Sequence, residues 1–162
     1  MIINNRRDAG YTIISRFEES YRELLQVILS SKYDQIENNI PSGIYEKAIS
    51  RNNNLSFENQ TDFFENIDFP DLNEITIYRD HFVHIVKNSL SKNEFIDAMT
   101  ELYSLRCKIA HIKGYFTSID LDKLITLSGL ISSAIGLQDF NILLDKIKTD
   151  PNSIIIKIPS DF

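Results

Sequence analysis

The sequence predicts an all-α protein: a helical bundle of five to six helices with a short extended C-terminal tail. Three observations carry that expectation. Apolar residues recur at spacings of three and four through most of the chain, the signature of a helix with one buried face. Capping signals stand at the boundaries of several of these periodic stretches. The pattern turns β-prone only after Asp150-Pro151-Asn152, in Ser153-Ile154-Ile155-Ile156-Lys157-Ile158-Pro159. We therefore expect a helical domain over residues 1–150 and a tail, or a linker to a further domain, over 151–162.

Taken in order, the first helix is expected from Thr12 to Tyr33, with Ile13, Phe17, Tyr21, Leu24, Leu25, Ile28 and Leu29 on one face. Glu18, Glu19 and Glu23 read first as its solvated side. A second starts at Pro41, where the missing N–H costs nothing, carries Ile44, Tyr45, Ala48 and Ile49, and ends at Asn52-Asn53-Asn54. Residues 55–69 hold Phe57, Phe63, Phe64, Ile67 and Phe69, too many apolar side chains for a free loop. A third helix is expected from Pro70 to Leu90. The fourth has the clearest start, because Ser91 and Glu94 fit a capping box. It is expected to run to Gly114, a natural left-handed C-cap. Thr117 or Ser118 can cap a helix from Ile119 to Ile135, and a shorter one covers Phe140 to Lys148.

Composition narrows the function classes. The longest apolar run is three isoleucines, far short of the roughly 18 residues that mark a membrane helix. The N-terminus lacks the apolar core of a signal peptide. The single cysteine, Cys107, allows neither an intrachain disulfide nor a cysteine-based zinc cage, consistent with a reducing, cytoplasmic setting. The net charge of −6 argues against coating of nucleic acid, which draws most of its free energy from neutralised phosphates.

One stretch departs from these bland features. Phe95, Met99, Leu102, Arg106 and Ile109 follow one another at spacings of four, three, four and three, so they form one stripe of a helix. Four are apolar and the fifth is a permanent cation, which is costly on a packing face without a partner. Either Arg106 pairs with a buried carboxylate or snorkels, or the stripe faces a cleft or a second subunit and meets an anion. From Glu101 to Asp120 the intervening residues carry no acid but include Arg106, Lys108, His111 and Lys113. Cations near a helix C-terminus account for Lys113 and His111, but not for Arg106. On one helix Arg106 and His111 stand about 140° apart around the axis and about 7.5 Å apart along it. Two copies of the helix meeting across an interface would bring both residues into one cleft.

Arg106-Cys107-Lys108-Ile109-Ala110-His111 resembles the R-x4-6-H motif of HEPN domains. The Ala-His pair, the glycine-containing loop and the capped helix after it also look like HEPN sequences, and Asp68-Phe69-Pro70-Asp71-Leu72-Asn73-Glu74-Ile75 is similar to a stretch in one HEPN subgroup. The resemblance spans roughly residues 15 to 135. It implies a homodimer and a metal-independent endoribonuclease, needing no cofactor, in phage defence or a toxin–antitoxin setting. His111 would take the proton of an RNA 2′-hydroxyl, Arg106 would stabilise charge on the phosphate, and Lys108 and Lys113 would hold flanking phosphates. The alternative it implies is a catalytically inert HEPN-like module for dimerisation or interaction with a larger sensor. The departure lies at Cys107: active members usually carry a polar residue there, and a thiol is a weak hydrogen-bonding group.

Other signals in the sequence are weaker. His81 and His84 have metal-compatible spacing but no evident third ligand, so no metal site is expected. Glu18, Glu19 or Glu23 would orient His111 if they faced the cleft. The C-terminal Ile158-Pro159-Ser160-Asp161-Phe162 resembles the lead-in to the nucleotide-binding module of STAND-type ATPases. That implies a fused ATPase module as partner, beside a possible antitoxin and an RNA substrate; no membrane partner is expected.

Overall fold

The computed structural model describes residues 2–51, 60–87, 90–111, 115–150 and 158. The protein is all-α. Among the described residues there are eight α-helices, six of them of seven residues or more, and no strand. They are α1 (Ile2–Lys32), α2 (Ser42–Arg51), α3 (Gln60–Glu65), α4 (Phe69–Ile77), α5 (His81–Ile85), α6 (Lys92–Ala110), α7 (Ser118–Ile135) and α8 (Gln138–Thr149). No helix among the described residues is long and apolar enough to cross a membrane. The helices divide into two compact units, Met1–Glu18 with Asn88–Phe162, and Glu19–Lys87.

In the first unit α6, α7 and α8 pack with the opening turns of α1. Two of the four, α6 and α7, begin or end as the side chains dictate. Ser91 and Glu94 form the expected capping box on α6, with the Glu94 N–H donating to Ser91 Oγ at 3.1 Å. Thr117 and Asp120 form another on α7, satisfying N–H groups that a helix start leaves without partners. Gly136, at φ 85°, closes α7 in the left-handed region that glycine enters without penalty. Phe95, Met99, Leu102 and Ile109 are buried along α6, and Phe17 of α1 meets Phe140 of α8 edge to face at 5.5 Å.

Two boundaries in this unit differ from expectation. Helix α1 begins at Ile2 rather than Thr12. Residues 4–8 are polar and offer no apolar stripe, but Ala9 and Gly10 are buried and tertiary contacts hold the turn. A β-carbon added at Gly10 would stand 2.7 Å from the Phe116 ring and 3.0 Å from Ile109, so α1 lies on them at glycine range. Helix α6 ends at Ala110, with His111 as its C-cap, instead of running on to Gly114. Gly114 lies outside the described residues, as do Phe57, Asn52 to Asn54 and, apart from Ile158, the β-prone tail. The Ile158 N–H donates to Asp8 Oδ1 at 3.4 Å.

The second unit holds the rest of α1 and α2 to α5. Phe63, Phe64, Ile67 and Phe69 are buried, as their density in 55–69 predicts. The buried Tyr21 hydroxyl meets Thr76 Oγ1 at 2.5 Å, and burial holds that phenol above its usual range. The single helix expected over Pro70–Leu90 is instead two. Arg79 sits at φ 53° between them, its guanidinium over the Tyr78 ring and donating to the Asn38 carbonyl at 3.1 Å. Helix α4 starts one residue before Pro70, capped by Asp68 and Asp71. Asp71, whose side chain is 1% exposed, is ion-paired with Arg51 and Lys47. Burial pushes its carboxyl up, but the Asp68 N–H and Arg51 outweigh it and hold it below the usual range.

Gly10→Ala should lower stability by about 1–3 kcal/mol in urea unfolding, because the added methyl overpacks a filled contact. Gly43→Ala should raise it by about 0.4–1 kcal/mol, since nothing lies within 4 Å of that added carbon. An unchanged Gly10→Ala would contradict the close approach of α1.

Candidate functional site

The charged position on the α6 stripe has a partner. Arg106 Nε donates to Glu18 Oε1 of α1 at 2.5 Å, with the two side chains 30% and 7% exposed. Of the two accounts open for an arginine on this stripe, the structure realises the intrachain carboxylate. It also corrects Glu18: the residue is buried against Arg106 and is no part of a solvated face. Transfer of either charge alone into such a setting is unfavourable, so each side chain makes the other tolerable. About a third of the arginine side chain stays accessible.

One turn further on, α6 ends. The last four carbonyls of a helix have no partner within it, and here a side chain from α1 takes three of that region. Arg7 Nε donates to the Ile109 carbonyl at 2.9 Å and its Nη2 to the Lys108 carbonyl at 2.7 Å and to the His111 carbonyl. The His111 N–H donates to the Cys107 carbonyl at 3.0 Å, and the residue then leaves the helix at φ −89°, ψ 119°, exposed. Lys108 turns toward α7: its Nζ lies 3.1 and 3.3 Å from the two Asp120 oxygens. Burial alone pushes the Asp120 carboxyl up, but the Thr117 N–H and the Lys108 ammonium win and hold it below the usual range. Cys107 is a free, half-buried thiol. Lys113 lies outside the described residues.

Arg106, Lys108 and His111 thus share the C-terminal half of α6, with the two basic side chains drawn to Glu18 and Asp120. The surface nearby carries an exposed aromatic, Tyr115, 82% accessible, just before the buried Phe116. Sequence reasoning singled out Arg106, Lys108 and His111 and missed Arg7. Nothing in Asn4-Asn5-Arg6-Arg7 marks one arginine as a helix cap. The role of Asp120 was legible in principle, since Thr117 and Asp120 have capping-box spacing.

Other candidate positions are engaged elsewhere. His81 is buried, its Nε2 2.7 Å from the Asn39 carbonyl and its ring against Tyr33 and Tyr78. His84 Nε2 lies 3.3 Å from Asp80. No group of three or more metal-ligating side chains is arranged to hold an ion among the described residues. A cavity of about 370 Å³ in the second unit is lined by Glu19, Arg22, Glu23, Gln26, Phe64 and Glu65. Its three carboxylates repel an anionic ligand. No protein-family model, curated protein or solved structure matches the chain.

A double-mutant cycle of Glu18→Gln and Arg106→Gln should give a coupling free energy of about 1–3 kcal/mol. A value under about 0.5 kcal/mol would place the pair among ordinary surface ion pairs. The Asp120 contact makes a pH prediction. A carboxyl held low in the folded state contributes stability that is present above its unfolded value of about 3.9 and lost as pH falls through the folded value. Urea midpoints at about pH 5.5 and about pH 3 should therefore differ less in Asp120→Asn than in the wild type.

Proposed function

We propose that the chain is a HEPN-like domain acting as a metal-independent endoribonuclease, with Arg106 and His111 of two copies facing a common cleft. The observation that carries this reading is the state of Arg106: fixed by Glu18 on an otherwise packed stripe, yet with about 30% of its side chain accessible. An oriented, partly exposed guanidinium presents a planar fork to phosphate oxygens without having to be immobilised on binding. His111, exposed at the end of the same helix, has the residue type best suited to proton transfer near neutral pH.

In this reaction the 2′-oxygen of a ribose attacks the adjacent phosphorus as His111 takes its proton. The P–O5′ bond breaks and the 5′-oxygen of the next nucleotide takes a proton from water to leave as a hydroxyl, so a 2′,3′-cyclic phosphate remains. Arg106 stabilises the negative charge that develops on the phosphate. Lys108 holds a flanking phosphate while sharing its ammonium with Asp120, and Lys113 a second. The setting is cytoplasmic, in phage defence or with an antitoxin or fused ATPase as regulator.

A second reading is favoured by the Arg106–Glu18 pair together with Cys107. A neutralised arginine followed by a thiol fits an inert HEPN-like interaction module, whose ion pair only positions α1 on α6.

Structured RNA incubated with the wild-type protein and EDTA should be cut. His111→Ala should lower the rate by about 10²–10⁴-fold, the usual contribution of a general base. Equal cleavage by both proteins, or none by either, selects the interaction module. Light scattering should give a dimer; a strict monomer removes the composite site.

A further inference from the structure

We propose that Arg7 is a positioning residue for His111, so that competence of the α6 site depends on the first turns of α1. The inference rests on the ribonuclease reading above for its catalytic consequence, but the clamp itself stands on geometry. One guanidinium holds the carbonyls of Lys108, Ile109 and His111. These belong to the final turn of α6 and to the residue at which the chain leaves the helix. The guanidinium also sets a fixed positive charge against the negative end of the helix. A planar fork does this in one orientation, which a flexible point charge does not.

The clamp is anchored on its own side. Gly10, one turn along α1 from Arg7, lies against Phe116 so closely that a methyl group would collide with its ring, and would press tightly on Ile109. Ala9, Ile109 and Phe116 are buried there. Helix α1 is thus held at the end of α6 both by packing and by the arginine, and His111 is fixed through its carbonyl by Arg7 and through its N–H by Cys107. Loss of Arg7 frees the last turn to fray. A displacement of the imidazole of about 1 Å is enough to cost on the order of 100-fold in rate.

The test compares wild type, Arg7→Gln, Arg7→Lys and a control, Leu144→Ala, which loses a buried side chain of α8 far along the sequence from the clamp. Two readouts are taken: RNA cleavage kinetics and hydrogen exchange of the His111 amide. Arg7→Gln should lower kcat by about 10–100-fold with KM changed by less than about 3-fold. It should also speed exchange at His111 while leaving the buried middle of α6 protected. Arg7→Lys should recover part of both effects, and Leu144→Ala neither. A change confined to KM would make Arg7 a phosphate contact and overturn the proposal. So would unaltered exchange at His111, or an equal loss in the control. If the wild-type protein cleaves no RNA, exchange decides alone: acceleration in Arg7→Gln upholds the clamp while the ribonuclease reading falls, and no acceleration overturns the clamp too.

Discussion

A permanent charge on the packed stripe of a helix requires a partner, and the pairing of Arg106 with Glu18 is the constraint around which the first unit is arranged. Phe95, Met99, Leu102 and Ile109 bury the same stripe, so α6 must press its arginine toward whatever covers that face. There α1 supplies the Glu18 carboxylate. Removing one member leaves an uncompensated charge, which costs more than the pair contributes. The ion pair therefore ties α1 to α6 at the position of Arg106.

The same logic repeats toward the end of α6. Its carbonyls meet Arg7, and Lys108 meets Asp120, which belongs to the capping box of α7. Three electrostatic contacts from two helices thus converge on the stretch from Arg106 to His111. A helix end held this way fixes the backbone from which the exposed His111 side chain projects. These bridges leave the net charge of −6 unchanged, because each pairs one cation with one anion.

Periodicity made most of the helices legible. The capping box at Ser91 and the stripe of α6 follow from local chemistry, and of the two cap candidates for α7, Thr117 and Ser118, the structure uses Thr117. The failures share one cause, tertiary contact overriding local preference. The opening turns of α1 are polar and poor in helix formers, yet Gly10 and Arg7 hold them in place. The break at Arg79 has no glycine or proline to announce it, only a side chain that finds Asn38 and Tyr78. Within the site, the anomaly at Arg106 was visible, and a buried carboxylate was among its possible explanations. That the carboxylate is Glu18 was not readable, because Glu18 stands in a run of acids whose pattern looks solvated.

The chemistry assigned to this helix end leaves a specific mark on RNA. Attack by a 2′-oxygen gives fragments ending in a 2′,3′-cyclic phosphate and beginning with a 5′-hydroxyl, whereas attack by water gives no cyclic phosphate. Mass spectrometry of RNA fragments made by the wild-type protein with EDTA present is therefore the most direct test. The account predicts cyclic phosphate termini that disappear with Arg106→Ala and with His111→Ala. Fragments bearing 5′-phosphates, or cyclic termini that survive both substitutions, would contradict it.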